Sequence, residues 1–68
     1  MTDLKNIRRI VGLTQSDLAR QMGVTQSMVA KWETGDSYPR GELLTKLADT
    51  LGCTIDELFG RNTGQVGA

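Results

Sequence analysis

Gln26, Ser27, Ala30 and Lys31 gather the most usable chemistry in this 68-residue chain. On a helix turning by about 100° per residue they share one side with Thr34, away from Val29 and Trp32. The chemistry of such a stripe is hydrogen bonding, not bond-making. A glutamine amide carries a donor and an acceptor side by side, which suits the N6 and N7 edge of adenine, and a serine hydroxyl serves either purine. Ala30 lets the helix come close to another surface. The same residues also fit the ordinary polar face of a capped helix, and spacing alone does not separate the two readings. A stripe serving only solubility is usually richer in Glu and Lys.

Bond-making chemistry has little to work with. The chain has no His and a single Cys, Cys53. That removes Ser-His-Asp and Cys-His nucleophilic schemes and a Cys/His zinc site within one chain. No glycine-rich phosphate loop follows a strand signal. The expectation is therefore a protein that is not an enzyme and holds no cofactor or metal. A lone cysteine gives no disulfide framework. No apolar run approaches the roughly 18 residues of a membrane span, and the N-terminus shows no signal-peptide core. A cytoplasmic setting without a membrane partner is expected. Cys53 reads as a small buried filler, with a redox-sensing thiol as the alternative.

Formal net charge is zero, which taken alone argues against a nucleic-acid partner. Its distribution is less even. Residues 1–40 hold Lys5, Arg8, Arg9, Arg20, Lys31 and Arg40 against Asp3, Asp17, Glu33 and Asp36, whereas residues 41–68 hold Lys46 and Arg61 against Glu42, Asp49, Asp56 and Glu57. A dipolar layout of this kind permits one basic face, and it equally describes a solvated mixed surface.

The elements that must position the stripe are short helices. Leu4, Ile7 and Val11 follow a helical period that ends at Gly12. Thr14 reads as the N-cap of a second helix, with Asp17 in its first turn and Leu18, Ala19 and Met22 on its apolar face. Gly23 ends it, Thr25 caps the third, and Gly35 stops that one near Thr34. A loop follows around Pro39. Leu44, Leu47, Ala48 and Leu51 define a fourth helix, opened at Gly41 and closed by Gly52. Thr54 and Glu57 have capping-box spacing and open a last short helix. No β-period alternation occurs, so the fold class is all-α. Residues 1–60 form one domain, and 61–68 are expected to fray as a flexible C-terminal tail. Only Gly23, Val24 and Thr25 join the second and third helices, which forces a steep crossing. With the third helix in a DNA major groove, the N-terminus of the second, at Thr14 and Gln15, faces a phosphate that its free N–H groups and dipole attract.

The stretches "GLTQSDLARQMGVTQSMVAKWETG", "YPR" and "LLTKLADTLGCTIDELF" resemble the helix-turn-helix family of phage lambda repressor and Cro, the Xre-type bacterial regulators, over about residues 4 to 59. The agreement lies at fixed offsets: G-L-T-Q, the following L-A, G-V-T-Q, W-E-x-G, a proline four residues later, and L-A-x-x-L-G. The resemblance implies a compact five-helix lambda-repressor-like domain whose helices two and three form the helix-turn-helix. It implies double-stranded DNA as partner and a small transcriptional repressor as function. Gln15 would contact phosphate and brace Gln26, the first base reader. Ser27 and Lys31 would be further reading or backbone positions, Thr25 would sit against the backbone, and Arg40 would reach a flanking phosphate. Arg8 and Glu33 match a family ion pair that positions the recognition helix. Binding as a homodimer is expected, with Leu43, Ile55, Leu58 and Phe59 as the candidate interface. The alternative is a protein-interaction module, such as the toxin-binding antitoxin of a toxin–antitoxin pair. Met28 departs from the family's usual small polar residue and is read as edge-of-core packing, with contact to a thymine methyl as the alternative. Ile10 and Val11 replace residues usually charged in the family, and either extend the core or form an exposed apolar pair.

Overall fold

The computed structural model describes residues 1–60, so the expected tail at 61–68 lies outside the described residues. Those described form five helices and no strand: α1 (Leu4–Val11), α2 (Gln15–Met22), α3 (Gln26–Thr34), α4 (Glu42–Leu51) and α5 (Ile55–Leu58). Side chains set the starts of three of them. The Thr14 hydroxyl accepts from the Asp17 N–H at 3.0 Å, and the Thr14 N–H donates to the Asp17 carboxylate at 3.1 Å. Asp17 thus does more than complement the helix dipole; it closes a reciprocal box. Thr54 and Glu57 do the same for α5 at 3.1 and 2.8 Å, as their spacing predicts. Thr25 caps α3 by accepting from the Met28 N–H at 3.2 Å.

The turn between α2 and α3 depends on Gly23, whose φ of +73° is a left-handed conformation that residues with a Cβ rarely adopt. Its N–H and that of Val24 return to the last turn of α2, with Val24 donating to the Ala19 carbonyl at 3.0 Å. Val24 then packs against the core, and α2 makes its most extensive packing with α3.

Leu18 and Met22 of α2, Val29 and Trp32 of α3, and Leu47 and Leu51 of α4 form the centre of the core, which Leu4 and Leu58 close. Each large apolar side chain buried there contributes about 1.5–3 kcal/mol relative to exposure. Met1 joins this core, and its amine donates to the Trp32 carbonyl at 3.2 Å. The Asp3 N–H donates to the Leu58 carbonyl at 3.1 Å. The start of the chain is thereby tied to the last turn of α3 and to Leu58 at the end of α5.

Three details differ from the sequence reading or settle it. Leu58 is 0% exposed, so it is a core residue and offers no area to a second copy; its place in the candidate dimer interface is withdrawn. Val11 leaves the apolar face of α1 and is 46% exposed beside Ile10 at 83%. The chain turns at Gly12, and Leu13 packs against the core where Val11 was expected. Tyr38 of the α3–α4 loop stacks on Phe59, with ring centroids 6.0 Å apart, a contact no local pattern announces.

Candidate nucleic-acid interface

The polar stripe of α3 lies outward. Gln26, Ser27 and Lys31 are exposed, Ala30 is half-buried among them, and Thr25 is exposed at the cap. Thr14 is exposed at the start of α2, and Gln15 beside it is half-buried. Arg40 is exposed in the loop after α3. Val29 and Trp32 point the opposite way, into the core, as the helical wheel requires. Met28 lies at the boundary, partly exposed and bordering a groove with Trp32, Tyr38, Pro39, Arg40 and Leu43.

The two helix openings meet through side chains. The Gln26 amide nitrogen donates to the Gln15 Oε1 at 3.4 Å, and the Ser16 hydroxyl donates to the Gln26 Oε1 at 3.2 Å. Gln15 in turn donates its amide to the Glu33 Oε1 at 2.9 Å. The other carboxylate oxygen of Glu33 accepts from the Arg8 Nε at 2.6 Å, and the Arg8 Nη1 donates to the Leu13 carbonyl at 2.7 Å. The ion pair is well shielded, with side-chain exposures of 9% for Arg8 and 5% for Glu33. Among the described residues no buried side-chain nitrogen or oxygen lacks a partner, so the desolvation of both charges is matched by hydrogen bonds.

This arrangement brings Arg8, Gln15, Gln26 and Glu33 into one continuous network. Ser16 is a member that the sequence reading passed over. Thr14-Gln15-Ser16 opens α2 with the same three residues as Thr25-Gln26-Ser27 opens α3, so a signal for it was present. Thr14, Thr25, Ser27, Ala30 and Lys31 border the same surface without joining the network, and Arg40 stands apart in the loop beyond Pro39.

Local electrostatics follow from the caps. The backbone N–H and then the hydroxyl of Thr14 hold the Asp17 carboxyl below its ordinary pKa of 3.8, helped by the charge of Arg20 at 3.0 Å. That pairing offsets a negative charge at the opening of α2. Cys53 is partly buried against the core, and burial, with the charge of Glu57, pushes its thiol up from 9.0. A thiol held protonated is a poor nucleophile, in keeping with a packing role.

A helix-turn-helix family model matches residues 4–58, from the start of α1 to the end of α5. The chain belongs to the helix-turn-helix family. In this helix-turn-helix domain α2 and α3 are the paired helices and Gly23-Val24-Thr25 the turn. The chain is 40% identical over 58 residues to the cryptic phage CTXphi transcriptional repressor RstR of Vibrio cholerae, covering 85% of this chain and 52% of that protein. It is 41% identical over 46 residues to the 26 kDa repressor protein of Escherichia phage HK022, covering 68% of this chain and 20% of the phage protein. An uncharacterized HTH-type transcriptional regulator of Methanocaldococcus jannaschii is 36% identical over 56 residues, covering 82% of this chain and 85% of that one. The chain thus spans about half the length of the Vibrio repressor and a fifth of the HK022 protein. Among the described residues, no helix is long and apolar enough to cross a membrane.

Proposed function

We propose that this chain binds double-stranded DNA sequence-specifically and regulates transcription, most simply as a repressor that occupies an operator as a dimer. The observation that carries this reading is the pair of amides at the meeting of the two helix openings, the half-buried Gln15 and the exposed Gln26, held from behind by a shielded ion pair. Gln26 keeps one N–H and one lone pair free after its bonds to Gln15 and Ser16, the pattern that an adenine edge accepts and donates. Gln15 keeps its second amide hydrogen for a phosphate, next to the opening of α2 with its dipole. Lys31 and Arg40 supply cations at either side, and Thr14, Thr25, Ser27 and Ala30 form the surface between them. Both phage relatives are named repressors, whereas an HTH-type transcriptional activator of Enterococcus faecalis is 40% identical over 56 residues, so the choice of repression rests on the phage likeness alone.

Dimerisation follows from the reading problem. One recognition helix contacts few base pairs, too few to define a site among a genome of competitors. Two-fold pairing sets two copies of α3 about 34 Å apart on one face of the duplex. With Leu58 spent on the core, the surface for a second copy is Leu43, Ile55 and Phe59, together with the exposed Tyr38 that stacks on Phe59. Selection of bound sequences from random duplex DNA tests the function and delivers the site. A palindromic consensus and an affinity that falls steeply with salt are expected, because phosphate contacts release counterions. Failure to enrich any sequence would overturn the reading.

A further inference from the structure

A glutamine side chain is nearly symmetric in shape, so its reading of a base depends on which end of the amide faces which way. Neither Gln26 nor Ser16 settles this, since a hydroxyl donates or accepts as its surroundings ask. Gln15 has the same freedom taken alone. Glu33 has none: a carboxylate only accepts. Its Oε2 is engaged by Arg8 at 2.6 Å, and its Oε1 lies 2.9 Å from the Gln15 amide nitrogen. Gln15 must therefore turn its nitrogen to Glu33 and its oxygen to Gln26. Gln26 must then turn its nitrogen to that oxygen, at 3.4 Å, and its own oxygen to Ser16, at 3.2 Å.

We propose that Glu33, shielded behind the interface, sets the base preference at the Gln26 position by fixing the polarity of two amides in series. Glu33 is a positioning residue and touches no base. The inference rests on the DNA-binding reading above. With the order of donor and acceptor set, adenine in one orientation satisfies both free groups of Gln26. Guanine presents two acceptors and satisfies one, and a reversed pair presents neither in register. Arg8 enters only as the group that occupies the second carboxylate oxygen and holds Glu33 in place.

The test measures affinity of the whole chain for four duplexes that differ at one base pair of the selected site. That pair is the one whose preference Gln26→Ala abolishes. The wild type is expected to favour A·T there by roughly tenfold or more, the discrimination a two-bond contact supplies. Glu33→Gln keeps the size of the side chain, but Arg8 only donates and so holds the new amide oxygen, which turns the N–H end to Gln15 and reverses both amides in the series; the A·T preference should fall to within about threefold. Adding Gln15→Glu to Glu33→Gln moves the acceptor-only group one step toward Gln26. The A·T preference should then return, at lower affinity for all four duplexes. A merely structural role for Glu33 would not produce that return. Should Glu33→Gln not fold, Gln15→Met breaks the series while leaving the Arg8–Glu33 pair intact, and it should lose the preference with its helicity unchanged. A wild-type preference retained by folded Glu33→Gln or by Gln15→Met, or a double variant that fails to recover it, would overturn the proposal while the DNA-binding reading stands. A wild type that selects no duplex at all removes both.

Discussion

Gln26 stands at the first turn of α3 with half of its hydrogen-bonding capacity committed within the protein. What remains faces solvent and is available to a ligand. Gln26→Ala is expected to weaken binding to the selected duplex by about 1–3 kcal/mol and to relax the preference at one base pair. Circular dichroism should show an unchanged fold, because the side chain is exposed. Equal weakening on specific and random DNA would show that it reads no base. Asp17 illustrates a different use of a polar side chain at the same scale. Its carboxyl has a lowered pKa in the folded protein, chiefly through Thr14. The unfolded chain therefore binds the proton first as pH falls, so the stabilisation is whole above the ordinary value of 3.8 and is lost as pH falls through the folded value. Denaturation midpoints followed from pH 6 to pH 2.5 should drop less steeply in Asp17→Asn than in the wild type. Cys53, partly shielded and with its pKa raised, should alkylate more slowly at pH 7.5 than an unstructured cysteine peptide; faster reaction would reopen the sensing role.

At the scale of the element, α3 is oriented from both ends and from behind. Thr25 caps its start, Trp32 anchors it in the core, and Glu33 ties it to α1 through Arg8 and to α2 through Gln15. An apolar pair would pack such a joint as well or better. What a charged pair adds is direction, since it has one arrangement of bonds. Arg8→Ala leaves the Glu33 carboxylate buried without its cation, a change that costs about 3–5 kcal/mol at comparable sites, a large share of the stability of a small domain. Urea denaturation should record that loss, and Glu33→Ala on the same background should recover part of it. A strictly additive double-mutant cycle would sever the two residues energetically. Binding to the selected duplex should weaken along with stability in Arg8→Ala, because α3 loses its tie to α1.

For the whole molecule the question is how so small a surface finds a partner. The net charge is zero, so long-range attraction to DNA depends on the placement of charge rather than its total. Lys31 of α3 and Arg40 of the α3–α4 loop are exposed. Tyr38 of the α3–α4 loop stacks on Phe59 and borders a groove with Leu43, and Ile55 of α5 is partly exposed. These four residues are the surface proposed for a second copy. Sedimentation across a concentration series, with and without the selected duplex, should show a dimer that the duplex strengthens. A 1:1 complex on an asymmetric site, with no dimer at any concentration, would remove that part of the proposal. Tyr38→Ser or Ile55→Ser should weaken association without unfolding the chain, as both side chains are substantially exposed.

The helices and their limits were legible in the sequence because they are decided locally. Threonine caps and the glycines after each of the first four helices act within a turn of their own positions. The outward stripe of α3 was legible for the same reason, since nine residues are enough for a wheel to divide Gln26 and Lys31 from Val29 and Trp32. The Arg8–Glu33 pair came from resemblance to the family and not from spacing. Tertiary structure decided what depends on distant neighbours. A four-residue helix has too few positions to define a face, so the assignment of Leu58 to the core and Ile55 to the surface waited on the packing of Met1 and Leu4. The turn at Gly12 put Leu13 inside and Val11 outside. Ser16 acquired its role only when α2 and α3 crossed. Above all, the order of donors and acceptors from Arg8 through Glu33 and Gln15 to Gln26 spans three helices. Its bonds reach across 25, 18 and 11 positions of the chain, and no local rule carries that far, because a hydrogen bond between side chains exists only where the fold brings its two ends within about 3 Å.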